Sequence, residues 1–167
     1  MWLINKKHIC HQNVNLKIEG FFMFERLFLI VKNNAGTAVI DNPEILEKDR
    51  EAVINDASSS IIEVFKGQME SGRLKDLVKY FQFPEIYKSP LTTSVINKFA
   101  NKLNRYYNIS PASALNISKE LIPTVMLDLI EQTKGEKNKE FTLTTFLTKL
   151  NGNRADLSTL LDRLMVG

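Results

Sequence analysis

The chain has 167 residues, of which 44% are apolar and 25% charged, with a net charge of +3. This length and composition suit one ordinary globular domain that needs no disulfide or metal to fold, and the small net charge does not require a polyanionic partner. The single Cys excludes an intramolecular disulfide framework and is typical of a reducing compartment, so we expect a cytoplasmic protein.

Residues 1–22 differ from the rest of the chain, because no apolar periodicity connects them with the residues after them. They contain the only Trp, the only Cys and both His, and a second Met stands at Met23. We therefore predict that they are a flexible leader, or sequence upstream of a misassigned start, and that folding does not need them. His8, Cys10 and His11 have the chemistry of zinc ligands, but no fourth ligand accompanies them, so we expect no metal site.

From Met23 onward, apolar residues recur at helical spacing, and no stretch alternates as a half-buried strand would. Asn42-Pro43, Ser71-Gly72 and Phe83-Pro84 are typical breaks between helices. The pattern predicts helices over residues 24–32, 48–71, 73–82, 90–107, 111–133, 142–150 and 156–165, with a further turn at 37–41. We therefore predict an all-α fold, a compact bundle of about six to eight helices.

The expected organisation is a single domain over residues 23–166. Two lobes joined near residues 84–89 are the alternative, because Pro84 interrupts the helical pattern there. The apolar run 21–31 carries two charges and is far shorter than the ~20 residues that a membrane-spanning helix requires, so we expect no membrane span.

Local signals predict where several helices begin and end. Ser89-Pro90 and Ser110-Pro111 indicate helix starts, because Ser caps a helix and Pro suits its first position. Gly36 is a candidate left-handed cap for the first helix. Pro123 lies inside helix 111–133, where it removes a backbone hydrogen bond, so we expect a kink or split near Leu121.

Several predicted helices show an apolar stripe, and helix 73–82 has Leu74, Leu77, Val78 and Phe81 on one side. In helix 90–107, Leu91, Val95, Phe99 and Leu103 recur at a spacing of four, which predicts a face in the core. In helix 48–71 the stripe is interrupted by three consecutive serines at 58–60. Small side chains there would allow another helix to pack closely.

The sequence from Met23 onward excludes several kinds of chemistry. It contains no His and no Cys, so it offers no thiol nucleophile, no imidazole acid or base, and no thiolate or imidazole metal site. It has no glycine-rich phosphate loop. Carboxylate pairs such as Asp128 with Glu131 fall on polar helix faces, where solvated charge is the usual role. We expect a protein that is not an enzyme and has no catalytic, cofactor-binding or metal-binding residues.

One face of helix 90–107 carries a repeated pattern of amide and basic side chains. We call it the Asn–Lys face: Asn97, Lys98, Asn101, Lys102 and Arg105, with Asn104 and Asn108 continuing the amide row. Asn can hydrogen-bond adenine edges, and Lys or Arg can neutralise phosphates, so these residues are candidate nucleic-acid contacts. A merely solvated face is the alternative. Residues 23–167 hold 19 basic and 18 acidic groups, a net charge of only +1.

Aromatic residues gather near the predicted helix ends. They are Tyr80, Phe81, Phe83, Tyr87, Tyr106 and Tyr107. Such residues either close the ends of a helical core, with each Tyr hydroxyl in water, or line a ligand groove or an interface. The core is the favoured interpretation.

Several segments together resemble a known bacterial family. They are Met23-Phe24-Glu25 to Gly36, Ala57-Ser58-Ser59-Ser60, Gly72-Arg73-Leu74-Lys75-Asp76-Leu77, Ser89-Pro90, and Leu121-Ile122-Pro123 to Leu129. The chain resembles small uncharacterised proteins common in Bacteroidetes that look related to the YidB-like family of unknown function. The resemblance covers about residues 23–166. It implies an all-α fold with homeodomain-like helical packing, and it implies no activity and no catalytic residues.

These observations favour an intracellular, non-enzymatic helical protein that acts through contact with an unknown protein partner. A DNA-associated helical domain that uses the Asn–Lys face is the second hypothesis. A helical module that binds a small molecule or a peptide through the aromatic residues is the third.

Overall fold

The computed structural model describes residues 21–135, 139–152 and 157–166. These residues form seven α-helices and no β-strand, which confirms the all-α prediction. The first helix, α1, covers residues 21–34 of the described part. The others are α2 (Arg50–Glu70), α3 (Leu74–Gln82), α4 (Pro90–Tyr107), α5 (Pro111–Lys134), α6 (Leu143–Leu150) and α7 (Ser158–Val166). A π-helical turn, Gly36–Ile40, and a 3-10 turn, Glu47–Asp49, lie between α1 and α2.

The helix starts follow the capping signals of the sequence. Ser89 Oγ accepts a hydrogen bond from the backbone N–H of Leu91, and a proline occupies the first turn of α4. Ser110 caps α5 in the same way, with its Oγ accepting from the N–H of Ser113. Thr142 caps α6, as predicted. The predicted cap Asp156 lies outside the described residues.

The helix ends follow the sequence less closely. Gly72 ends α2 with a φ of +73°, as the Ser71-Gly72 signal predicts, and Asn108 ends α4 with a φ of +55°. The predicted left-handed cap at Gly36 is wrong, because Gly36 opens the π-helical turn instead. The N–H groups of Val39 and Ile40 both bind the carbonyl of Ala35 there, at 2.9 and 3.0 Å.

Of the kink or split predicted for helix 111–133, the split is wrong, and the kink stays a prediction. Pro123 lies inside α5, which continues from Pro111 to Lys134 without interruption. Side chains on both sides of Pro123, including Ile122 and Val125, are fully buried. Burial of these flanking residues stabilises the helix where the proline removes one backbone hydrogen bond.

The core lies between α4, α5 and α2, with α3, α6 and α7 packed beside them. The apolar stripe of α4 is buried as predicted, and Phe99 has no exposed surface. Phe65 of α2, Phe81 of α3 and Phe146 of α6 form an aromatic cluster with ring centroids 5.7–6.2 Å apart. Helices on both sides of residues 84–89 therefore contribute to one buried cluster.

Candidate functional site

The Asn–Lys face meets α2 along a row of polar contacts, which we call the α2–α4 seam. It joins Asp56, Ser59 and Glu63 of α2 to Lys98, Lys102 and Tyr107 of α4. Glu63 forms ion pairs with two lysines, because its carboxylate oxygens lie 2.8 Å from Lys98 Nζ and 2.9 Å from Lys102 Nζ. Lys102 Nζ also donates to Ser59 Oγ at 2.7 Å. The two helices are antiparallel, since Asp56 near the start of α2 contacts Tyr107 at the end of α4, whereas Glu63, further along α2, contacts Lys98 in the middle of α4.

The seam shows that two members of the Asn–Lys face are not merely solvated. The side chain of Lys102 is only 16% exposed, and both of its hydrogen-bond partners belong to α2. The solvated interpretation is therefore wrong for Lys102, whereas Lys98 pairs with the same carboxylate but keeps 41% of its side chain exposed. That carboxylate reduces the positive charge available to a phosphate.

The packing of the seam shifts the pKa of two titratable groups. Partial burial alone would raise the pKa of Glu63, but hydrogen bonds and charge from Lys98 and Lys102 outweigh it, and the pKa lies below its usual value. Burial raises the pKa of Tyr107, and its hydrogen bond to Asp56 raises it further. The tyrosine hydroxyl thus stays protonated and donates a hydrogen bond to Asp56 Oδ2 at 2.5 Å.

The remaining residues of the Asn–Lys face have two kinds of environment. Asn97, Asn101 and Arg105 are exposed on the outer side of α4. Asn104 Nδ2 instead donates to the carbonyl of Ile109 at 2.8 Å, and Asn108 is the left-handed residue that ends the helix. The face borders an open depression of about 530 Å³. Nucleic-acid contact by Asn97, Lys98, Asn101, Lys102 and Arg105 stays a prediction.

The seam makes a prediction about stability. Replacing Lys102 by Met keeps the aliphatic stem but removes the charge from Glu63 and the donor from Ser59, so we expect a loss of about 1 kcal/mol in the free energy of unfolding. Arg105→Met is the matched control on the same helix and should change it by less than about 0.5 kcal/mol. Urea unfolding followed by circular dichroism measures both. Equal values for the two variants would mean that the seam contributes nothing to stability.

A second feature is an open cleft of about 700 Å³, which we call the α2–α3–α4 cleft. It is lined by the last turns of α2, one side of α3 with the loop after it, and the first turn of α4. Its floor is apolar, because Leu77, Tyr80 and Leu91 are buried there. The hydroxyl of Tyr80 is bonded to Thr92 Oγ1 at 2.8 Å, and burial raises the pKa of Tyr80 to about 12.

The rim of the cleft carries charged side chains that form no ion pairs with other described residues. Its exposed side chains are Arg73, Asp76, Lys79, Glu85 and Lys88. Within the described ranges, none of them forms an ion pair; the ion pairs found there are Lys98 and Lys102 with Glu63, and Lys134 with Glu131. The rim therefore presents three cations and two anions to solvent.

The loop between α3 and α4 adjoins this cleft and exposes two aromatic rings, of which Phe83 lines the cleft. Phe83 is 75% exposed and Tyr87 is 78% exposed, whereas Ile86 between them is buried and fixes the loop to the core. The favoured core interpretation of the aromatic residues is confirmed for Tyr80 and Phe81, and it is wrong for the exposed Phe83, Tyr87 and Tyr106. The expectation that every Tyr hydroxyl meets water is wrong for Tyr80, which is bonded to Thr92 instead.

Sequence reasoning missed both the seam and the cleft. A signal for the seam exists, since Asp56, Ser59 and Glu63 recur at i, i+3 and i+7 beside the apolar stripe of α2 and so share one polar edge. No comparable signal indicates the cleft. Its residues come from three elements, and the spacing within one helix does not indicate which elements will meet.

Other kinds of site find no support in the part of the chain that the structure describes. No group of three or more His, Cys, Asp or Glu side chains there is placed to hold a metal ion. No described helix combines the length and apolarity that crossing a membrane requires. His8, Cys10 and His11 lie outside the described residues.

Comparisons with protein-family models, with curated proteins and with solved structures find no match to this chain. The resemblance to the YidB-like family, and with it the homeodomain-like packing, stays a prediction.

Proposed function

We propose that this protein is a helical protein-interaction module whose contact surface is the α2–α3–α4 cleft with the adjoining loop. In this proposal it acts in the bacterial cytoplasm, without catalysis, and belongs with the YidB-like proteins that it resembles. The observation that carries the proposal is the exposure of Phe83 and Tyr87, two aromatic rings on one short loop beside a cleft with an apolar floor.

Exposed aromatic side chains favour binding for a physical reason. An aromatic ring loses little conformational entropy on binding and buries a large apolar area, so aromatic residues are enriched among interface residues that dominate affinity. Here Ile86 holds the loop against the core, so the rings stand on a fixed base. The unpaired charges of the rim supply orientation, since a partner with complementary charges would pair them.

Affinity capture from the native cell tests this proposal. The full chain is compared with a Phe83→Ala, Tyr87→Ala variant, and captured proteins are identified by mass spectrometry. A Leu160→Ala, Val166→Ala variant is the matched control, because these apolar residues of α7 are also exposed. We expect a partner that the unmodified chain and the control retain and the loop variant loses. The same captured proteins from all three chains would contradict the proposal.

DNA association remains the alternative, and the exposure of Asn97, Asn101 and Arg105 on one side of α4 is the observation that favours it. This hypothesis requires that the unmodified protein binds duplex DNA in a salt-sensitive manner. A variant with Lys98, Lys102 and Arg105 all changed to Gln should then lose this binding. The Lys102→Met variant separates a loss of binding from a loss of stability. Because Glu63 already holds two of the three cations, we expect no sub-micromolar DNA binding by the unmodified protein.

A further inference from the structure

An exposed acidic loop lies at the opposite end of α2 from the cleft. We call residues 42–49 the Leu46 loop, after a side chain that is 58% exposed. The loop has a defined conformation, because Asn42 Nδ2 donates to the carbonyl of Ala38 at 3.1 Å and Asn42 Oδ1 accepts from the N–H of Glu44 at 2.9 Å. Ile45 is buried beneath it. The fold therefore holds Leu46 out in solvent on a fixed loop.

The Leu46 loop is complementary in charge to the cleft. Residues 42–49 contain three acidic side chains and one basic side chain, a net charge of −2. The five charged side chains of the cleft rim are three basic and two acidic, a net charge of +1. Glu44 and Glu47, on either side of Leu46, are exposed and form no ion pair with described residues. The loop thus has one apolar side chain between carboxylates, and the cleft has an apolar floor within a rim of three cations and two anions.

These two surfaces do not meet within one molecule. The 21 residues of α2 separate them, and such a helix is about 30 Å long. No residue of the Leu46 loop lines the cleft, and Leu46 is exposed. Any contact between them is therefore a contact between two copies of the chain.

We propose that the Leu46 loop of one copy docks in the α2–α3–α4 cleft of a second copy, head to tail. This inference rests on the proposed function of the cleft and names its occupant. Leu46 lies over the apolar floor beside Phe83, while Glu44 and Glu47 pair with Lys79 and Lys88. Each copy offers one loop and one cleft, so the contact is heterologous and produces an open chain or a closed ring of copies.

Sedimentation analysis of the full chain provides the first test. We expect the weight-average mass to rise above the 19.1 kDa of one chain as protein concentration increases at low salt. The rise should weaken at high salt, because salt screens the pairing of carboxylates with lysines. A mass of one chain at every concentration at low salt would overturn the proposal.

Variants with a single defective surface provide the sharper test. The loop variant carries Glu44→Gln, Leu46→Ala and Glu47→Gln, and the cleft variant carries Lys79→Gln, Phe83→Ala and Lys88→Gln. A control variant with Lys119→Gln, Leu160→Ala and Arg163→Gln changes the same kinds of exposed side chain elsewhere. Circular dichroism verifies that all three are folded. We expect each defective variant alone to be monomeric and the control to self-associate like the unmodified chain.

Mixing the two defective variants gives the decisive result. The intact loop of the cleft variant can enter the intact cleft of the loop variant, so the mixture should form a complex of two chains and nothing larger. Larger species in the mixture, or self-association of either variant alone, would overturn the assignment of these surfaces. A monomeric unmodified chain whose captured partner depends on Phe83 and Tyr87 would overturn the self-association and leave the proposed function intact. Failure of both experiments would remove the cleft as a docking surface.

Discussion

Replacing Phe99 by Ala is expected to lower the free energy of unfolding by about 3–5 kcal/mol. The Phe99 ring has no exposed surface and lies on the buried stripe of α4, the helix that packs against both α2 and α5. Truncation removes the transfer energy of the ring and leaves a cavity that rigid neighbouring helices cannot fill.

Urea unfolding of the full chain measures the effect, and a change of midpoint at constant slope would show that stability alone has changed. Asn97→Ala is the matched control, since Asn97 lies on the exposed side of the same helix and should cost no more than about 0.5 kcal/mol. A loss below about 1 kcal/mol for Phe99→Ala would mean that the α4 stripe does not face the core in solution.

The helices and their starts were predictable because the signals are local. The Ser-Pro pairs before α4 and α5 place a cap and a first-turn proline within two residues, and no distant part of the chain is needed to interpret them. The apolar stripe of α4 is also a local signal, because the spacing of four residues is enough to assign Phe99 to a buried face. The split expected at Pro123 does not occur, since burial of the residues around Pro123 stabilises α5 as one continuous helix.

The candidate sites were not predictable because their partners are distant in the chain. Lys102 and Glu63 are 39 residues apart, and nothing near Lys102 indicates that a carboxylate of α2 will meet it. A lysine that binds a phosphate, one in water and one in an interhelical ion pair have the same sequence pattern. Likewise the cleft combines residues of α2, α3 and α4, and the spacing within each helix does not show that these surfaces adjoin.

Replacing Phe65 by Ala should destabilise the protein by a similar amount, about 3–5 kcal/mol, for a different structural reason. Phe65 is fully buried and meets Phe81 and Phe146 edge to face, at centroid distances of 5.7 and 6.1 Å. It therefore connects α2 with α3 and with α6, which lie on opposite sides of residues 84–89 in the sequence. Thermal unfolding of the variant should show a lower midpoint and still a single transition.

A double-mutant cycle with Phe65→Ala and Phe146→Ala measures how strongly the two sides of the fold are coupled. An edge-to-face aromatic pair contributes about 0.5–1.5 kcal/mol beyond its buried area, so the double variant should lose less than the sum of the single losses by that amount. Leu77→Ala with Phe146→Ala is the comparison cycle, because Leu77 is buried on α3 but belongs to no aromatic pair. Two separate unfolding transitions, with a coupling energy near zero, would show that the helices before residues 84–89 and those after them are independent lobes. One transition with a measurable coupling energy is expected if Phe65 and Phe146 belong to one cooperative core.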